Sequence, residues 1–297
     1  FLRRRLRLSP ELYFKDSNNE ETFAPNNLEN AILRTQWVED QITSSAQTTH
    51  GFTAREQALW HLPVNGLGIL QSESFSRELD ELVELLQGLC AQPLNNTEKD
   101  DTSLTITRDV ILNSGEVVHC QVSGELTQCY QRQLVHWRAG ELRGQHLLDA
   151  WLDLVLVAAA QPERIGSAIV IGRDKTKGRL QEFEFNAPSQ IEALAYIDHC
   201  IQYYRDAWQA PQSVMPGLMW ALSQAADDKK EKLILAAVEN EFSEFNRTAM
   251  QLCRPELAQQ LLSTDVADGD ANAYDHWLEQ YQWLWALPQA CLVGDDE

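Results

Sequence analysis

Two short runs carry the spacing in this chain that comes closest to chemistry. SGELT at 123–127 and LVHWR at 134–138 both read as strands, and side chains two apart on a strand share a face. His136 and Arg138 therefore point together, and Glu125 shares a face with Thr127. If the first run ended in Asp and the second carried an acid two residues before a Lys, the pair could hold Mg²⁺ through carboxylates and activate water against a phosphodiester. The residues present are Thr127, His136 and Arg138. A hydroxyl is a poor neutral ligand, imidazole suits softer metals, and a guanidinium is a permanent cation. None of the three supplies the carboxylates or the Lys that such chemistry needs.

The elements that must position these residues follow from periodicity. An alternating pattern predicts strands at 104–112, 116–130 and 132–138, joined as an antiparallel meander. A long apolar helix follows over 143–160, then a strand at 167–173, a basic turn, a strand at 180–185 and a helix over 188–208. Upstream, spacing near 3.6 predicts a helix from Leu28 to about Ser44 and an amphipathic one from about Ser72 to Leu89. Thr53 with Glu56 three residues later has the form of a capping box opening a short helix at 53–61. Beyond Pro211 the pattern turns helical and irregular, near 216–226, 229–241, 255–262 and 274–286. The chain divides on this reading into a helical lead-in (1–100), an α/β core (101–210) and a C-terminal helical extension (211–297).

Other chemistry is absent from the pattern. Gly66-Leu67-Gly68 lacks the third glycine of a dinucleotide loop, and GRDKTKGR (172–179) has the wrong spacing for a phosphate loop. There is no G-x-S-x-G or H-E-x-x-H. The six Cys, at 90, 120, 129, 200, 253 and 291, form no C-x-x-C and are read as reduced thiols. Asp149 and Asp153 stand four apart and could bind a metal; a polar stripe on an otherwise apolar helix explains them better. The stretch 147–160 is too short and too acidic to span a membrane. Phe1 in place of an initiator Met is read as the start of a piece of a longer cytoplasmic polypeptide.

The chain resembles the RecC family, the gamma subunits of exodeoxyribonuclease V, in their C-terminal part. Phe1 to Leu6 matches the family's FxxxRL opening, and TFAPNNL (22–28) is similar to its next segment. LPVNGLG (62–68), GRLQEFEF (178–185), YRDAW (204–208) and FNR (245–247) fall in the family's order, together spanning nearly the whole chain. The resemblance implies an α/β fold with a mixed sheet, a PD-(D/E)xK nuclease-like core with additional helices, degenerate at Thr127, His136 and Arg138. It also implies a non-catalytic scaffold and DNA-guiding role inside the RecBCD helicase–nuclease, in double-strand break repair by homologous recombination. RecB-like and RecD-like subunits and DNA near the fork are the partners it implies. The ATP and Mg²⁺ of such a complex belong to other subunits, so no cofactor is expected here.

Charge bears on that role. With 24 Lys and Arg against 44 Asp and Glu, the net charge is −20, which opposes indiscriminate binding to phosphates. Contact with DNA must then be local, and the candidates are Arg132, Arg138 and Arg143 together with Arg173, Lys175, Lys177 and Arg179. A further basic run lies at Arg3, Arg4, Arg5 and Arg7. Trp277 and Tyr281, four apart, are the candidate partner-binding residues. Two rival readings stay open: a divergent metal-dependent nuclease using Glu125, and a protein-interaction module with no DNA role.

Overall fold

The computed structural model describes residues 27–43, 49–59, 61–63, 66–90, 103–125, 129–130, 132–174, 178–209, 220–221 and 282–293. Thr127, Lys175, Lys177, Trp277, Tyr281, the arginines at 3–7 and the motifs at 1–6 and 245–247 lie outside the described residues, as do most of TFAPNNL and the helices expected at 229–241 and 255–262. The chain forms two compact units, Phe1–Gly88 and Leu89–Glu297.

The first unit contains α1 (Asn27–Thr43), α2 (Thr49–Ala58) and α3 (Gly66–Leu89). Leu33, Trp37 and Val38 of α1 are buried, as are Phe52 of α2 and Phe75, Leu79, Leu82, Val83 and Leu86 of α3. In α3 the i, i+4, i+7, i+8, i+11 spacing makes one apolar stripe. Gln71 donates to Asn30 Oδ1 at 2.6 Å, Arg34 pairs with Glu78, and Gln87 donates to the Gln41 carbonyl at 3.1 Å, so α1 and α3 run side by side in one direction.

Two expectations need correction here. Thr53 and Glu56 form no capping box, because α2 starts at Thr49 and both are buried inside it. The Glu56 carboxylate instead accepts from Arg55 Nε at 2.6 Å and lies 2.9 Å from His61 Nδ1. Helix α3 begins at Gly66 rather than Ser72. Gly68 permits this: a Cβ there would lie 2.3 Å from the Pro63 carbonyl oxygen and 2.6 Å from Gln57 Nε2.

The second unit has mixed α/β architecture. Strands β1 (Ser103–Ile111) and β2 (Val117–Glu125) form an antiparallel hairpin whose turn places Gly115 at φ +82°. A separate four-stranded sheet has the order β3-β4-β5-β6, with β3 at Cys129–Tyr130, β4 at Gln133–Glu141, β5 at Ser167–Arg173 and β6 at Leu180–Asn186. Strands β4 and β5 are parallel and are joined by α4 (Gly144–Ala160); the β3–β4 and β5–β6 pairs are antiparallel. Helix α5 (Gln190–Gln209) follows β6, and α6 (Trp283–Cys291) packs near it.

The expected single meander is therefore divided. The run 116–130 pairs with β1 only as far as Glu125, and its last two residues join β4 in the other sheet. The reason lies in α4, which is apolar around most of its circumference: Leu147, Ala150, Trp151, Leu154, Val155, Val157 and Ala158 are all buried. Such a helix needs cover on more than one side. The β4–β5 pair supplies one cover, α5 a second, and Leu104 and Ile106 of the hairpin a third. Arg108 fastens the hairpin to α5, bonding Asp198 through Nε at 3.0 Å and Nη2 at 2.5 Å.

At the C-terminal end the described helix is 283–291; residues 274–281 of the helix expected at 274–286 lie outside the described residues. Pro288 lies within it. Proline has no N–H, so the Leu284 carbonyl one turn back loses its helical donor. The buried Tyr196 hydroxyl of α5 donates to that carbonyl at 2.8 Å. Tyr196 also packs edge-on to Trp151 and Trp283, with ring centroids 5.9 and 5.5 Å apart.

Candidate functional site

Strand β4 presents Leu134, His136 and Arg138 to α4, as alternation requires. Leu134 is sealed in the core. Half-buried His136 sits with Nε2 3.5 Å from Asp153 Oδ2 on α4. Partial desolvation first, then Arg143, lower the Arg138 pKa, and Asp149, one turn earlier on the helix, opposes this together with Glu141. Asp149 and Asp153 are thus the polar stripe of an apolar helix, and they face Arg138 and His136.

Asp153 also walls a small cavity of about 60 Å³ with Leu104, Ile106, Val122, Glu125 and Leu156. Glu125, at the end of β2, is therefore near Asp153. Among the described residues no three His, Cys, Asp or Glu side chains are placed to hold a metal ion. At positions 136 and 138 the donors are an imidazole and a guanidinium, which do not suit Mg²⁺.

The basic candidates separate into two places. Arg132 lies at the start of β4, where its guanidinium bonds the Glu163 carbonyl and its own carbonyl accepts from Gly166 at 2.7 Å. Six residues of strand, roughly 20 Å, part it from Arg138. Arg138, Arg143, Arg173 and Arg179 instead share the carboxyl edge of the parallel pair. Leu142 N–H donates to the Arg173 carbonyl at 2.9 Å, Asp174 N–H donates to the Arg179 carbonyl at 2.9 Å, and Glu141 is the register partner of Arg173. Glu141 accepts from Arg143 at 3.4 Å, and Arg173 Nη1 donates to the Gly178 carbonyl at 2.7 Å. The turn that follows Arg173 closes at Gly178, whose φ of +64° favours glycine.

One member of this edge escaped the sequence reading. His146 is the third residue of α4, and its Nδ1 accepts the Arg143 N–H at 3.0 Å, the back-bond of a capping box. Its Nε2 lies 2.5 Å from Arg138 Nη1. Burial first, then Arg138 and Arg143, hold its pKa down to about 4, so the ring is neutral at pH 7. The residue three after Arg143, at the mouth of a predicted helix, was the only available signal.

The described aromatic residues near the C-terminus pack together. Trp285 is buried, Trp283 stacks among Tyr196, His199 and Tyr203, and Trp220 meets both Trp285 and Phe183. These rings serve the core. Among the described residues no cysteine forms a disulfide, and burial pushes the Cys200 thiol up to about 12.

A hairpin and a mixed sheet wrapped on a central helix, with arginines gathered at the carboxyl ends of β4 and β5, define an α/β domain. The family model described as the RecC C-terminal domain matches residues 1–227, and the chain belongs to that family. Over 123 residues it is 35% identical to the RecBCD enzyme subunit RecC of Mycobacterium tuberculosis, in both strain CDC 1551 / Oshkosh and strain ATCC 25618 / H37Rv. Each alignment covers 41% of this chain and 11% of the relative. No helix among the described residues is long and apolar enough to cross a membrane.

Proposed function

We propose that this chain is a non-catalytic scaffold and DNA-guiding domain of the RecC subunit of a RecBCD-type helicase–nuclease, acting in the cytoplasm in recombinational repair of double-strand breaks. Its core at 101–210 is read as a PD-(D/E)xK-like domain turned to binding, with 1–100 as a helical lead-in and 211–297 as a helical extension that serves RecB-like and RecD-like subunits. The observation that carries this reading is family membership combined with a guanidinium at position 138, where hydrolysis would need a Lys beside acids. Arg138, Arg143, Arg173 and Arg179 then guide a phosphate backbone locally, with Lys175 and Lys177 on the intervening turn; Arg132 is a separate contact at the other end of β4. No cofactor belongs to the domain itself, since ATP and Mg²⁺ serve the other subunits.

Partner docking is tested by assembly. Trp277→Ala/Tyr281→Ala should leave the far-ultraviolet circular dichroism intact and weaken co-purification with RecB-like and RecD-like subunits by about 2 kcal/mol, the scale of an interface hot spot. A folded double variant that assembles like the parent chain would remove these residues from the interface.

One observation favours a second reading. Glu125 and Asp153 border the same cavity, with His136 next to Asp153. A divergent nuclease would use those carboxylates, and cleavage abolished by Glu125→Ala would establish it.

A further inference from the structure

The contact between Arg138 and His146 joins two groups that can each donate. The capping back-bond gives His146 Nδ1 the role of acceptor for the Arg143 N–H, at 3.0 Å. A neutral imidazole has one acceptor nitrogen and one N–H, so the proton then sits on Nε2. That N–H faces Arg138 Nη1 at 2.5 Å, and Arg has no acceptor to offer. Gln145 Nε2, at 3.2 Å from the same ring nitrogen, is a further amide group at this point. Arg138 forms no ion pair with a carboxylate among the described residues. Asp149 and Glu141 act on it only through space. Donors therefore converge at the first turn of α4 without an acceptor between them.

Resting on the DNA-guiding reading, we propose that Arg138, His146 and Arg143 form a binding site for a phosphate oxygen, with Arg138 Nη1–H and His146 Nε2–H donating to it. Arg138 is exposed, so a rotation of its side chain opens the 2.5 Å gap to admit the oxygen. Neutral imidazole is the form required, because Nδ1 is engaged by the backbone and only Nε2 has a hydrogen to give. Burial and the two arginines keep the ring in that form at neutral pH. Arg143 adds charge and, through its backbone N–H, fixes the ring's tautomer. The ligand chemistry is a phosphate monoanion or diester, supplied either by a DNA backbone or by free phosphate.

The test follows the ring directly. Long-range ¹H–¹⁵N spectra of the 297-residue chain are recorded while inorganic phosphate, and separately a fluorescein-labelled DNA duplex, is added. The His146 signals are assigned by their loss in His146→Gln. We expect the Nε2 resonance to shift saturably with the duplex. Arg138→Gln should weaken duplex binding about tenfold, the effect of one charge-assisted hydrogen bond. His146→Gln, which retains an amide donor, should weaken it less than His146→Leu. A shift with both additives assigns the site to phosphate generally, and a shift with duplex alone assigns it to the DNA backbone. A ring unmoved by either additive overturns the site. If Arg173→Gln/Arg179→Gln still weakens duplex binding in that event, the DNA-guiding reading stands without it; if no arginine variant alters duplex binding, that reading fails as well.

Discussion

Tyr196→Phe removes one hydroxyl and almost no volume, and that hydroxyl has a defined backbone partner. Pro288 cannot donate to the Leu284 carbonyl, and the Tyr196 O–H does so at 2.8 Å in a buried setting. The ring's edge contacts with Trp151 and Trp283 persist in Phe. The loss is therefore that of a buried carbonyl left without a donor, about 1–3 kcal/mol. Urea unfolding followed by fluorescence should show a lower midpoint with an unchanged slope. The same substitution made in a Pro288→Ala background supplies the internal control. Replacing the proline restores a backbone N–H one turn from Leu284, so Tyr196→Phe should then cost at most about half as much, a coupling that a double-mutant cycle reads directly. An equal loss in both backgrounds would refute the claim that the hydroxyl compensates for the proline.

Two further outcomes concern the arginine edge. His146 titrates near 6.5 when unfolded and at about 4 when folded. The unfolded chain therefore takes up a proton that the folded one refuses, and stability falls as pH drops through 6.5, levelling below about 4. His146→Gln should flatten that part of a urea-midpoint-against-pH profile; an identical profile would show that the ring is not held neutral. Duplex binding by the chain should be weak and salt-dependent: four phosphate contacts give a slope of about −3.6 in log K against log salt, and each Arg→Gln among positions 138, 143, 173 and 179 should reduce its magnitude by about 0.9. Tight binding that persists at high salt would contradict an account based on a few arginines in a chain of net charge −20.

Elements with one dominant period were readable in advance. Strand β5 at 167–173 and helix α4 were placed within a residue, since an unbroken apolar run between turn signals admits few registers. The meander was not readable, because alternation in 116–130 is the same whether the strand stays in one sheet or passes to another. What separates the two outcomes is the demand of α4 for cover on several sides, a tertiary effect. Thr53 and Glu56 misled for a related reason: a capping pattern is local, whereas their burial within α2 comes from packing. At the candidate site, alternation correctly joined His136 to Arg138. The roles of Asp153 opposite His136 and of His146 opposite Arg138 depend on how α4 lies across β4, which spacing along the chain does not encode.

The central claim is that this domain binds rather than cuts, and digestion tests it most directly. Linear duplex and single-stranded DNA incubated with the purified chain and Mg²⁺ or Mn²⁺ should remain intact, because an imidazole and a guanidinium stand at positions 136 and 138. Metal-dependent cleavage that disappears in Glu125→Ala or Asp153→Ala would contradict the account and make the cavity beside His136 an active site.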